Sequence, residues 1–417
     1  MSASGQPPPQ AAGSSYTIIS RLHTAGLPTM TDAKDHLPPA PQDVNVGRRS
    51  FIKKSLAAAI GVGATIGPWP LTYARGTEAR LNWLAYPGHA TEEVIGPFQQ
   101  EYGVEIHAQE FTAGERMLAL INSSPRGTFD LVMDDTPYIE ILARTGMLEP
   151  LDAEDFPLDE FFPEFVSWPG LSYDNTLYSI PTTWGYNGLA YNTEILTEDD
   201  VQSYAIMWDE RLRRRLGMRD WYLPVMGVFS AHLGFPRPYD ISDADLDRVV
   251  ESMLSVAPQV TGFYGFSGVF NSLADGTAHV IPGCGDWITG LLQRDGHPIR
   301  SMAPREGAIS WMESNSIVRG TKHKDLAIDF IRYLSSPEGQ VRTITKSSYM
   351  AAGVTKEGWN RMNNERPREA EMVSMLFDSY NILDMLRDGR ILYRQLPTQQ
   401  PMDVWQDAYS QFQRRAA

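Results

Sequence analysis

Carboxylates and indoles stand in this sequence where strand-like segments end. Asp134-Asp135 closes the apolar run from Phe129, and Asp286-Trp287 follows Gly283-Cys-Gly. Trp83 lies in Arg80-Leu-Asn-Trp-Leu-Ala-Tyr86, and Trp184 precedes Gly185. Trp311 and Glu313 are two residues apart in an extended stretch, which puts both side chains on one face. Such a set can grip a cation without reacting with it. A charged hydrogen bond to a carboxylate contributes roughly 1.5–3 kcal/mol, and the face of a Trp or Tyr ring adds about 0.5–2 kcal/mol. Motifs for other chemistry fail. The sequence has no Cys-x-x-Cys, no His-Glu-x-x-His and no Gly-x-x-x-x-Gly-Lys, and neither a metal nor a cofactor is expected. Gly61-Val-Gly-Ala-Thr-Ile-Gly67 has the wrong glycine spacing for a dinucleotide loop, and Gly265-Phe-Ser-Gly268 is too tight for a nucleophile elbow. Cys284, the single cysteine, excludes an internal disulfide; as a nucleophile it would need a neighbouring base to lower its pKa.

Ahead of these residues, Gly47-Arg48-Arg49-Ser50-Phe51-Ile52-Lys53-Lys54 and the weakly apolar run from Ser55 to Gly67 read as a twin-arginine export signal. The run is too short and too rich in Gly and Ala to span a bilayer, which takes about 20 apolar residues. Tyr73-Ala74 before Arg75 offers a cleavage point. The first 46 residues, rich in Pro, Gly, Ser and Ala, read as a disordered extension, with Met30 as an alternative start. Residues 1–74 are therefore expected to be a leader engaged by the twin-arginine translocase. Without its six basic and three acidic residues, the chain's 36 Lys+Arg and 51 Asp+Glu become 30 and 48, a net charge of −18. That balance repels nucleic acid and suits cationic partners. The roughly 340 residues that remain are enough for two domains.

Strand and helix signals alternate through both halves. Residues 80–86, 104–111 and 129–133 read as strands, separated by helical patterns at 91–102 and 114–123 and followed by another at 138–145. After Gly185 the alternation resumes with strands at 188–191, 278–281 and 299–303 and helices at 246–256 and 287–294. This predicts an α/β protein of two similar units without a linker, binding its guest between them at the carboxyl ends of the strands. The basic run Arg211-Leu-Arg-Arg-Arg215 reads as a solvated helix face.

Several ordered segments resemble the solute-binding proteins of bacterial ABC importers, of the spermidine/putrescine type. They are Asn82-Trp-Leu-Ala-Tyr86; Phe129-Asp-Leu-Val-Met-Asp-Asp135 with Gly146-Met-Leu-Glu-Pro-Leu-Asp152; Tyr178-Ser-Ile-Pro-Thr-Thr-Trp-Gly185; Ala303-Pro-Arg-Glu-Gly-Ala-Ile-Ser-Trp-Met-Glu313; and Lys324-Asp-Leu-Ala-Ile-Asp-Phe-Ile331. The resemblance spans most of residues 80–412. It implies a two-lobed periplasmic-binding-protein fold of type II, each lobe a sheet flanked by helices, with a hinge of crossing strands. Residues 75–185 with 309–360 would form one lobe, and 186–308 with 361–417 the other. The crossovers would fall near Gly185–Gly188, Glu306–Ser310 and Trp359–Met362. The implied function is periplasmic capture of a polyamine or related cationic amine for an inner-membrane permease, without catalysis. The implied ligand residues are Trp83, Tyr86, Asp135, Trp184, Asp286, Trp287, Trp311, Glu313, Tyr349 and Gln395. This sequence departs from the resemblance where relatives carry two carboxylates at a helix start: here stand Asp220 and Trp221-Tyr-Leu-Pro224. A guest with a different charge spacing, or with one charge, follows from that. Two alternatives stay open: a zwitterionic or anionic solute on the same fold, and a secreted enzyme using Cys284.

Overall fold

In the first half of the chain, strand-forming segments are each followed by an amphipathic helix, the arrangement that parallel strands require. The computed structural model describes residues 79–416. Arg48-Arg49, the apolar run after them and the cleavage point at Ala74 lie outside the described residues. β1 (Ala79–Ala85) pairs in parallel with both β2 (Val104–Glu110) and β3 (Leu131–Asp135), as expected from the alternation. β4 (Ser172–Tyr173) and β5 (Thr176–Leu177) make a separate hairpin. β6 (Ser179–Asn192) is followed by a second parallel set, β7 (Leu216–Arg219), β8 (Val260–Tyr264) and β9 (Val280–Cys284), with β7 in the middle. β10 (Ile299–Met302) is antiparallel to the end of β6. β11 (Ala308–Ile317) lies between β3 and β6 and is antiparallel to both. β12 (Ala352–Gly353) and β13 (Ile391–Leu392) pair with β6 and β11. Apart from the hairpin, these form one 11-stranded curled sheet flanked by helices.

β6 is the element that joins the two parallel sets. Thirteen of its 14 residues are buried. Ser179–Asn187 pairs with β11, and Gly188–Tyr191 pairs with β9. The expected crossover near Gly185 and the expected strand at 188–191 are therefore one continuous strand. The crossover near Glu306–Ser310 coincides with the start of β11. The third expected crossover, Trp359–Met362, lies in the helix Lys356–Glu365 rather than in a strand. Thr355 caps that helix by accepting from the Gly358 N–H, so the segment has its backbone partners without a sheet.

The expected lobe boundary falls at residue 360. Met362, Ala370, Val373, Met375 and Ile382 bury in the same core as Leu81, Phe98 and Phe330. The helix Met402–Ala416 packs on the other parallel set, with Phe412 against Phe229 and Trp405 stacked on Tyr239. The basic run at 211–215 holds a 3₁₀ turn, Glu210–Leu212, rather than a helix face. Arg211 there pairs with Asp200 and Asp209 at the surface.

Two tryptophans expected at the site belong to this core. Along β1, Leu81, Trp83 and Ala85 alternate onto the buried face. Trp83 meets Phe330 edge-on at 5.1 Å and donates its indole N–H to Asn315 Oδ1 at 3.0 Å. Trp184 packs on Phe165 at 4.8 Å and donates to the Gly353 carbonyl at 3.0 Å. Both are fully buried with their one polar atom satisfied. Truncation of such an indole costs about 3–5 kcal/mol. Trp83→Ala should lower unfolding stability by that amount in urea titrations, and a loss under 1 kcal/mol would contradict the packing.

Candidate functional site

A cavity of about 340 Å³ opens where the carboxyl ends of both parallel sets face β11. Tyr86 reaches it from just past β1, Asp135 from the end of β3, and Arg219 from the end of β7. Trp311 and Glu313 enter side by side from β11, as their spacing requires. Gly185 on β6 makes room for the indole, since a Cβ there would stand 2.6 Å from a Trp311 ring carbon. Trp287 enters from the first turn of the helix Asp286–Arg294. That helix starts at Gly285, where a Cβ would collide with the Tyr186 carbonyl oxygen at 2.0 Å. Tyr349 closes this side, its ring centroid 5.9 Å from that of Trp287 and 6.3 Å from that of Trp311.

Glu313 holds the most heavily bonded position in the cavity. Its carboxylate accepts from Thr183 Oγ1 at 2.8 Å and from the Tyr349 hydroxyl, and His89 Nε2 lies 3.1 Å away. The fully buried Lys346 places its ammonium 3.6 Å from the Tyr349 ring centroid and donates to the Thr343 carbonyl. Burial opposes the charge on Glu313, but His89, Lys346 and the Tyr349 bond outweigh it, holding its pKa down to about 2. Burial pushes Lys346 down to about 8, against the pull of Glu313 and Glu93. Burial likewise lowers the His89 imidazole.

Asp134 and Asp135 form a second polar group. The Tyr86 hydroxyl donates to Asp134 Oδ1 at 2.6 Å, which also accepts the Asp135 backbone N–H. Asp135 forms an ion pair with the buried Arg394, whose guanidinium lies 4.9 Å from the Trp221 ring centroid. Burial raises both carboxyl pKa values, most strongly for Asp134, which the neighbouring Asp135 also disfavours as an anion. The Arg219 guanidinium lies between two indoles, 4.9 Å from the Trp287 centroid and 5.6 Å from that of Trp221.

Of the ten residues expected at the site, Tyr86, Asp135, Trp287, Trp311, Glu313 and Tyr349 line the cavity together. Four do not. Trp83 and Trp184 are core residues, turned inward by strand alternation. Asp286 is fully buried in the first helical turn behind Trp287, and burial raises its pKa well above the carboxylate range. Gln395 is off by one: Arg394 faces the cavity from that segment. Sequence reasoning missed Arg219, Arg394 and Asn187 on the lining, and His89 and Lys346 behind it. Arg219 carried one signal, as a strand-end residue like the candidate aspartates. Cys284 is fully buried beside Arg219, and burial pushes its thiol up to about 12, opposite to what a thiolate nucleophile needs. The nearest histidine in sequence, His279, stands at the other end of β9.

The bacterial extracellular solute-binding protein family matches residues 93–356, more than half of the chain. The chain belongs to that family. A spermidine/putrescine-binding periplasmic protein of Salmonella typhimurium is 23% identical over 261 residues, covering 62% of this chain and 72% of the relative. A putrescine/agmatine-binding protein of Pseudomonas aeruginosa is 23% identical over 326 residues, covering 72% and 85%. The structure of a spermidine/putrescine ABC transporter protein from Listeria monocytogenes superposes with a TM-score of 0.68 at 20% identity, covering 80% of this chain and 99% of that one. The fold is thus that of the periplasmic binding proteins, and the chain is a bacterial extracellular solute-binding protein.

The ionised Glu313 also predicts an acid limb. Its folded pKa of about 2 lies below the ordinary value of 4.5, so its stabilisation is present above pH 4.5 and lost as pH falls through 2. The full effect is about 3 kcal/mol at 1.36 kcal/mol per unit. Urea unfolding between pH 4.5 and 2 should show that slope in the wild type and not in Glu313→Gln; equal slopes would refute it.

Proposed function

We propose that this solute-binding protein captures a small amine of the polyamine class, such as putrescine or spermidine, and delivers it to an inner-membrane ABC permease. The observation that carries the reading is the enclosure of Glu313 by the rings of Trp287, Trp311 and Tyr349, with Asp135 beside it. The proposed ligand residues are the six that line the cavity: Tyr86, Asp135, Trp287, Trp311, Glu313 and Tyr349. The names of the Salmonella and Pseudomonas relatives support the same class of guest. The guest would sit between a lobe built around β1–β3 and one built around β7–β9, favouring the closed arrangement through contacts with both. We further propose that the chain acts in the periplasm after export by the twin-arginine translocase through Arg48-Arg49.

Calorimetry with putrescine, spermidine and agmatine tests the reading. At least one should bind at micromolar concentration, and Trp311→Ala should weaken it by about 1–2 kcal/mol through the lost ring face. Folded protein that binds none of them would overturn the amine class. For export, Lys in place of both Arg48 and Arg49 should leave the precursor in the cytoplasm; normal export of that variant would exclude the twin-arginine route.

A further inference from the structure

Capture of an amine leaves two features of the cavity unused. The first is a surplus cation. Asp135 is already ion-paired with Arg394, and Glu313 lies in the field of Lys346 and is bonded by Tyr349 and Thr183. Among the described residues, no carboxylate is ion-paired with Arg219, although it lines the cavity between Trp287 and Trp221. Its neighbour Asp220 accepts from Gln413 Nε2 at 2.7 Å and is exposed. Burial pushes the Arg219 pKa down, and Arg394 adds to that from the same cavity, so the site favours an anion beside it.

The second feature is the sign of the unsatisfied hydrogen-bonding atoms. Among the described residues on the lining, the buried side-chain atoms without a partner are Asn187 Nδ2, Trp221 Nε1, Trp311 Nε1 and Arg394 Nε. All four are donors. The orientation of the Asn187 amide follows from chemistry: Trp287 Nε1, which can only donate, is 3.1 Å from Asn187 Oδ1, so the NH₂ is the group left over. Asn187, Trp311 and Arg394 are each more than nine-tenths buried, so leaving their donors without an acceptor is costly. A diamine brings donors alone. It would leave these four unmatched and add positive charge beside Arg219. A carboxylate brings two acceptor oxygens with up to four lone-pair sites and the opposite charge.

We propose that the guest of this cavity is an amine that also carries a carboxylate, with the anionic end seated on Arg219 among those donors and the ammonium toward Glu313 and the surrounding rings. This rests on the amine-binding reading above but departs from the polyamine class within it, replacing a second ammonium by a carboxylate.

Three matched pairs test it by calorimetry: putrescine against 4-aminobutanoate, cadaverine against 5-aminopentanoate, and agmatine against 4-guanidinobutanoate. Each pair exchanges one terminal ammonium for a carboxylate at constant chain length. In every pair that binds, the carboxylate-bearing member should bind at least tenfold more tightly. Arg219→Gln should abolish that preference and Arg219→Lys should keep most of it. Equal or tighter binding of the diamines by the wild type would overturn this proposal while leaving the amine class standing. A preference unchanged in folded Arg219→Gln would overturn it as well. If no member of any pair binds, the amine class itself falls, and this proposal with it. Should Arg219→Gln fail to fold, the wild-type ratios still decide.

Discussion

β6 and β11 run antiparallel with almost every residue buried, and that pairing sets what the rest of the chain can do. A strand buried on both faces must place polar side chains where partners can meet them, because an unmatched polar group in the interior costs several kcal/mol. Along β11 the consequence alternates residue by residue. Met312 goes to the core, while Trp311 and Glu313 go to the cavity. Along β6 the same constraint selects Thr183 to bond Glu313, Gly185 to admit the Trp311 ring and Asn187 to accept from Trp287. Because β6 also continues into the second parallel set, the strand that shapes the floor of the site is the one that joins the two halves.

A carboxylate on such a strand stays ionised only if the protein surrounds it with donors and a cation, and Glu313 has both. His89, Tyr349 and Lys346 come from loops far from β11 in sequence, yet they converge on one carboxylate. The arrangement holds its geometry before any guest arrives, and preorganisation lowers the cost of binding. It also means that the acidic groups are not bare countercharges for a cation. With Asp135 given over to Arg394, the net electrostatic demand of the cavity falls on Arg219 and on the unmatched N–H groups around it.

The architecture was legible because its signals are local. Apolar spacing and the glycines after it mark the strands and helices of the first parallel set and β9 of the second, whereas β7 and β8 went unread, and ordered segments such as Ala303–Glu313 carry the family resemblance. Trp311 and Glu313 were legible for the same reason, since a period of two is intrinsic to a strand. Trp83 and Trp184 misled because aromatic identity near a strand end says nothing about which face the strand buries. One step of register separates Trp83, in the core, from a residue on the opposite face, and it separates Gln395 from Arg394.

From the sequence alone came the alternation of strands and helices, the acidic balance, and the six ring and carboxylate positions that line one cavity. Only the tertiary structure decided how those charges are matched. Ion pairing joins residues such as Asp135 and Arg394, or Glu313 and His89, whose proximity depends on how the sheet curls and where the loops land. No spacing rule encodes that distance, so the sequence could name the acids, and the fold alone determined which cation each of them meets.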